Sequence, residues 1–193
     1  MTRFLRSLKY STLLFQETSI SRPNQSRIID SLNLQLQSKQ TIWSHFCGIV
    51  NFNENFNIEC LKQAEDERYI LALITMPEEP SFQPIYLLNI YAPASNAENQ
   101  RNLFFEDLIN MIHSMHESHP NLINNMILAG DFNFCLDSHS DHHTRRGTLP
   151  HALVRFLGVH MHDCINDSLH LTARSRTGHV YGRAYPSRMK FLI

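Results

Sequence analysis

The 193 residues suit a single domain, and 42% hydrophobic with 10% aromatic residues is enough for a buried core and too much for a disordered chain. No apolar run reaches the roughly 18 residues of a membrane span, and the basic N-terminus lacks a signal-type apolar stretch; a membrane protein and a secreted one are excluded, and an intracellular protein of the nucleus or cytoplasm is expected. Cysteines at 47, 60, 135 and 164 form no CxxC pair, so reduced, mostly buried thiols are expected instead of a zinc or disulfide framework. The net charge of −1 hides an asymmetry: residues 138–193 carry eight Lys or Arg against three Asp, a net +5 that hints at a polyanionic partner.

In chain order, Leu13-Leu14-Phe15 reads as a short buried strand ending abruptly in Gln16-Glu17. Residues 24–37 read as a helix, opened by Pro23 and striped by Ile28, Ile29, Leu32 and Leu36. Trp43 to Phe52 is strand-like around Gly48, and the Asn-rich 51–57 is a loop. Glu65-Asp66-Glu67 reads as an exposed acidic turn, and Trp43 as core. Tyr69–Thr75 and Ile85–Tyr91 are strong strands, joined by a loop with prolines at 77, 80 and 84 and expected to be neighbours. Residues 96–118 form the clearest helix, with Phe104, Leu108, Met111, Ile112 and Met115 as a core-facing stripe. Met126–Ala129 is a buried strand running into Gly130-Asp131-Phe132-Asn133, and a short helix is expected near 150–157. Strands alternating with helices give an α/β or α+β class.

Three strand ends thus present polar groups after apolar runs: Gln16-Glu17, Asn89-Ile90-Tyr91-Ala92-Pro93 and Gly130-Asp131-Phe132-Asn133. Taken singly, each is a strand ending in a capped turn. Taken together they suggest one site, because two carboxylates converging at a sheet edge make a hard oxygen site suited to Mg²⁺.

In that order, Gln-Glu after an apolar strand, Asn-Ile-Tyr-Ala-Pro and Ala-Gly-Asp-Phe-Asn resemble the endonuclease/exonuclease/phosphatase superfamily, the deoxyribonuclease I-like proteins. Ser187-Arg188, within Tyr-Pro-Ser-Arg-Met-Lys-Phe-Leu-Ile, is similar to the Ser-Arg-Ile-Asp segment of non-LTR retrotransposon endonucleases. The resemblance implies a four-layered sandwich of two mixed β-sheets flanked by helices, and Mg²⁺-dependent phosphodiester hydrolysis of DNA, with Mn²⁺ as a substitute ion. It implies Glu17 as metal ligand, Tyr91 as a contact to the scissile phosphate, Asp131 as the group that orients or deprotonates the attacking water, and Asn133 as a phosphate donor. Arg145, Arg146, Ser187 and Arg188 are the implied contacts to the DNA backbone, and the parent element would carry a reverse transcriptase domain.

The chain also departs from the pattern. No asparagine precedes Gln16, Lys190 stands where the family has aspartate, and residues 1–193 contain no late Ser-Asp-His; Ser140-Asp141-His142 lies too early. A single domain spanning 1–193 but incomplete at both ends is expected, with impaired activity and exposed strand edges. An inactive remnant, or a phosphatase or phosphodiesterase acting on a small phosphoester, are the alternatives. Histidines 139, 142, 143, 151, 160 and 162 match no zinc spacing and read as solvated.

Overall fold

The computed structural model describes residues 10–20, 22–94, 98–133, 150–163, 178–182 and 191–192. Among them the elements run β1 (Thr12–Gln16), a 3-10 turn (Arg22–Asn24), α1 (Gln25–Leu36), β2 (Gln40–Trp43), β3 (Cys47–Asn51), β4 (Asn57–Gln63), β5 (Tyr69–Thr75) and β6 (Ile85–Tyr91). They continue as α2 (Glu98–Ser118), β7 (Met126–Asp131), α3 (His151–His160), β8 (His162–Asp163), β9 (Gly178–Gly182) and β10 (Phe191–Leu192). The strands form two mixed sheets, ordered β10-β1-β3-β2 and β4-β5-β6-β7-β9-β8. No helix among the described residues is long and apolar enough to cross a membrane.

Strand alternation sorts the side chains into layers. Leu14 of β1, Ile49 of β3, Ile70, Ala72 and Ile74 of β5, Ile85 and Leu87 of β6, and Ile127 and Ala129 of β7 pack together between the two sheets. The opposite face of the six-stranded sheet, with Leu71, Leu88, Ile90 and Leu128, packs against Phe105, Leu108 and Ile112 of α2 and Leu153, Phe156 and Leu157 of α3. Leu13, Trp43 and Val50 turn the other way, onto Leu36 and the half-buried Ile28, Ile29 and Leu32 of α1. The result is helix, sheet, sheet, helix. The expected four layers and the α+β class hold, as does the core role of the 104–115 stripe, in which Phe104, Leu108 and Ile112 are buried.

Four points need correction. Trp43–Phe52 is two strands instead of one, because Ser44 turns the chain: its hydroxyl accepts the Cys47 N–H at 2.9 Å and its own N–H donates to the Cys47 carbonyl at 2.8 Å. β4 was not anticipated, since a bulge between Cys60 and Lys62 breaks its two-residue alternation. Cys60 lies exposed on that edge strand, so only Cys47 of the described cysteines is a buried thiol. Of the acidic turn, Glu65 and Asp66 are exposed, but Glu67 is half-buried and its carboxylate accepts the His45 N–H at 2.7 Å.

The edge of β1 opposite β3 is covered by β10, which pairs with it in parallel, Thr12 to Phe191 and Leu13 to Leu192. In the other sheet β5 and β6 are antiparallel neighbours, as their sequences suggest, and β6 and β7 run parallel with Asn89 opposite Ala129 and Tyr91 opposite Asp131.

Candidate functional site

The same two-residue alternation that builds the core builds the site. Counting on from Leu14, Gln16 falls on the inter-sheet face of β1; counting on from Ile85 and Leu87, so do Asn89 and Tyr91; counting on from Ile127 and Ala129, so does Asp131. The parallel register of β6 and β7 then sets Tyr91 beside Asp131 at one end of that sheet. The sequence pattern therefore brings polar groups from both sheets to one end of the inter-sheet layer.

Asn89 ties the two sheets there. It is fully buried, and its amide donates to the Phe15 carbonyl at 3.1 Å and the Gly48 carbonyl at 3.0 Å. Its own carbonyl oxygen accepts the Gln16 side-chain amide at 2.7 Å. A buried carboxamide has four hydrogen-bonding positions, and here three are used between strands of different sheets. One residue beyond Gln16, Glu17 accepts the Tyr91 phenol O–H at 2.6 Å. That bond, the negative partner first and then partial burial, pushes the Tyr91 phenol up to about 12; the charge of Asp131 adds to the rise and that of Arg68 opposes it.

The backbone is bent where the polar groups emerge. Glu17 has φ +55° and Asn133 φ +53°, left-handed conformations that are uncommon for residues other than glycine and that cluster at functional sites. The bend at Asn133 lets its N–H donate to Asp131 Oδ1 at 2.9 Å, orienting that carboxylate, while its side-chain amide donates to the Ala92 carbonyl at 2.6 Å. Gly130 has φ +137°, and a Cβ there would lie 2.0 Å from the Ile90 carbonyl oxygen, so β7 approaches β6 in a way that only glycine permits.

Behind Tyr91 lies a cluster that the sequence reading did not identify. The guanidinium carbon of Arg68 sits 4.3 Å from the Phe46 ring centre and 5.3 Å from that of Tyr91, and the two rings are 5.5 Å apart. Arg68 stands directly after the acidic triplet and before β5, where nothing in its spacing marks it. Arg101 of α2 was also missed; it is fully buried, and its guanidinium has no hydrogen-bond partner among the described residues.

The oxygen-only character of the site suits a hard cation. Glu17 is exposed and accepts the Tyr91 hydroxyl through Oε1, while Asp131 offers a second carboxylate on the adjoining sheet. Among the described residues no set of three or more His, Cys, Asp and Glu is gathered, so any remaining positions would fall to water or phosphate, which is how Mg²⁺ is usually held. Arg145, Arg146, Ser187, Arg188, Lys190 and His142 lie outside the described residues.

No family model matches the chain, and no curated protein sequence does. Solved structures do match in fold. A humanised D. rerio TDP2 carrying 14 mutations superposes with a TM-score of 0.57 at 16% identity, over 96% of this chain and 74% of that one. A functionally unknown conserved protein of Enterococcus faecalis V583 gives 0.56 at 14% identity, over 93% and 76%. D. rerio TDP2 complexed with a single-strand DNA product gives 0.50 at 14% identity, over 95% and 76%. The chain thus carries the deoxyribonuclease I-like fold, two mixed sheets face to face with helices outside.

Proposed function

We propose that this chain hydrolyses phosphodiester bonds in DNA with the help of Mg²⁺, as an endonuclease of the retroelement type. The observation that carries the reading is the convergence of Glu17, Tyr91, Asp131 and Asn133, from two sheets and three separate strand ends, with the Tyr91 hydroxyl on Glu17 at 2.6 Å and Tyr91 in register with Asp131. D. rerio TDP2 has been captured with a DNA product, and its shared fold supports DNA as the substrate class.

Glu17, with Asp131, would hold the ion. When bound, Mg²⁺ supplies positive charge to offset what builds on the phosphate and on the leaving oxygen. The protein groups do the rest. Asp131, aligned by the Asn133 N–H, can accept a proton from a water poised for in-line attack. The Asn133 amide donates one hydrogen to Ala92 and keeps a second for a phosphate oxygen. Tyr91 has a single proton, which it gives to Glu17; once that carboxylate is engaged elsewhere, the same proton is available to a phosphate oxygen at the same spot.

One sequence feature favours slow turnover. Lys190 replaces the aspartate that in similar sequences orients a catalytic histidine, and loss of a proton-transfer group costs about 10²–10⁴-fold. The test is nicking of supercoiled plasmid with Mg²⁺, beside Asp131→Ala and a chelator control. Slow nicking abolished by both supports the reading. Nicking equal in the parent chain and Asp131→Ala removes it, and hydrolysis of small phosphoesters without nicking turns it toward a phosphatase.

A further inference from the structure

We infer that Arg68 is the positioning residue for Tyr91: laid over the Phe46 and Tyr91 rings, its guanidinium holds the phenol hydroxyl on Glu17 and so fixes where a phosphate would meet it. The inference deepens the proposed function, on which the role of Tyr91 rests.

Arg68 and Tyr91 grip each other through both main chain and side chain. The Arg68 carbonyl accepts the Tyr91 N–H at 2.8 Å, extending the β5–β6 ladder by one residue, and the Arg68 Nη1 returns to the Tyr91 carbonyl at 3.4 Å. The same Arg68 carbonyl takes the thiol of buried Cys47 at 3.3 Å, so the backbone under the arginine is anchored to the four-stranded sheet as well. The guanidinium then covers two rings at once, at 4.3 Å and 5.3 Å, while its ionic tether to the largely exposed Asp66 is long, 3.8 Å. A weak ion pair at the surface contributes little, so the rings determine where this cation rests.

The consequence for Tyr91 is a fixed ring. Its neighbours are Phe46 on one side, Arg68 above, and Glu17 at the hydroxyl, all from elements of different origin: the β2–β3 turn, the β4–β5 loop and the end of β1. Remove the guanidinium and the half-buried ring, packed at the rim of the inter-sheet core, loses the group lying over it and keeps a tilted contact with Phe46 and a hydrogen bond to an exposed carboxylate, so its outer end is free to swing toward solvent. Lysine cannot replace the arginine, because an ammonium has no plane to lay across two rings.

Two measurements on the full chain test this. In protein labelled with ¹³C in the tyrosine rings, the Tyr91 signal, assigned by Tyr91→Phe, should shift and average in Arg68→Ala and Arg68→Lys, while Tyr69 and Tyr86 stay in place. An unchanged Tyr91 signal overturns the inference; movement of all three tyrosines marks general loosening and overturns it too. In plasmid nicking with Mg²⁺, Arg68→Ala should lower the maximal rate by about 10-fold with little change in KM, as misplacement of a reacting contact does. In a Tyr91→Phe background the same change should cost less than about 2-fold, because the hydroxyl it positions is gone. Equal losses in both backgrounds would make Arg68 a direct DNA contact and refute positioning. If Tyr91→Phe nicks like the parent chain, the proposed role of Tyr91 falls, while the ring signal still decides whether Arg68 holds it.

Discussion

Replacing Asn89 with leucine tests the tie between the sheets. The side chain is fully buried and makes three hydrogen bonds, of 2.7, 3.0 and 3.1 Å, to Gln16, Gly48 and Phe15. Leucine keeps the branched shape and the number of heavy atoms, and its bulkier methyl groups leave no cavity, so the lost bonds set the least that the change can cost. At about 1 kcal/mol net for each bond, and about 1 kcal/mol or more for a buried partner left unpaired, the loss should be about 3–4 kcal/mol. In a chain of this size that lowers the melting temperature by about 10 °C. Urea unfolding followed by the fluorescence of Trp43, the only tryptophan, reads the change beside the tie, since Trp43 packs on Gly48. Gln35→Ala, which removes an exposed 3.0 Å bond to Ser31 within α1, serves as the control and should cost under about 0.5 kcal/mol. An Asn89→Leu protein that loses less than about 1 kcal/mol would show that the sheets are aligned by apolar packing alone.

Other outcomes follow from the same geometry. Burial pushes the Cys47 thiol up to about 12, whereas Cys60, raised by partial burial, is exposed to reagent; at pH 8, iodoacetamide should label Cys60 and spare Cys47 until the protein unfolds, as peptide mass spectrometry would show. Gly130→Ala forces a Cβ within 2.0 Å of the Ile90 carbonyl at a φ of +137°, so it should destabilise by more than about 3 kcal/mol and fail to place Asp131, where a normal melting curve would contradict the close approach. The Tyr91 phenol is raised in the folded state, so the stability it contributes is complete below pH 10 and is lost as pH rises through about 12. The stability difference between the parent chain and Tyr91→Phe should therefore be constant up to pH 10 and shrink above it; a difference that grows would reverse the assignment.

Much of the arrangement was readable because burial on both faces writes itself into β6 and β7 as unbroken apolar runs, with Asn89, Tyr91 and Asp131 as the polar exceptions. The ends of β1 and β7 were legible for the same reason, and so was the α2 stripe. What stayed hidden depends on contacts that sequence spacing does not encode. The Ser44 turn arises from a hydroxyl competing with the ladder, and β4 from a bulge that shifts its phase. Arg68 gains its place only when the 44–46 turn and the end of β6 arrive beside it. Glu67 looked like a solvated charge because its partner, the His45 amide, is 22 residues away in the chain.

The pairing of β1 with β10 has a consequence for the chain as it is made. Leu13 emerges early and finds β3, ending at Asn51, soon afterwards, but its parallel partner Leu192 is made only 179 residues later (192 − 13). At about 5–20 residues per second, the outer side of β1 waits on the order of 10–35 s for cover, with Glu17 at its end and Asp131 arriving about two thirds of the way through. Throughout that interval the strand presents bare backbone donors and acceptors to any neighbouring nascent chain. Ribosomes spaced closely on one message would favour pairing between copies, and slower initiation or a holding chaperone should raise the yield of folded protein.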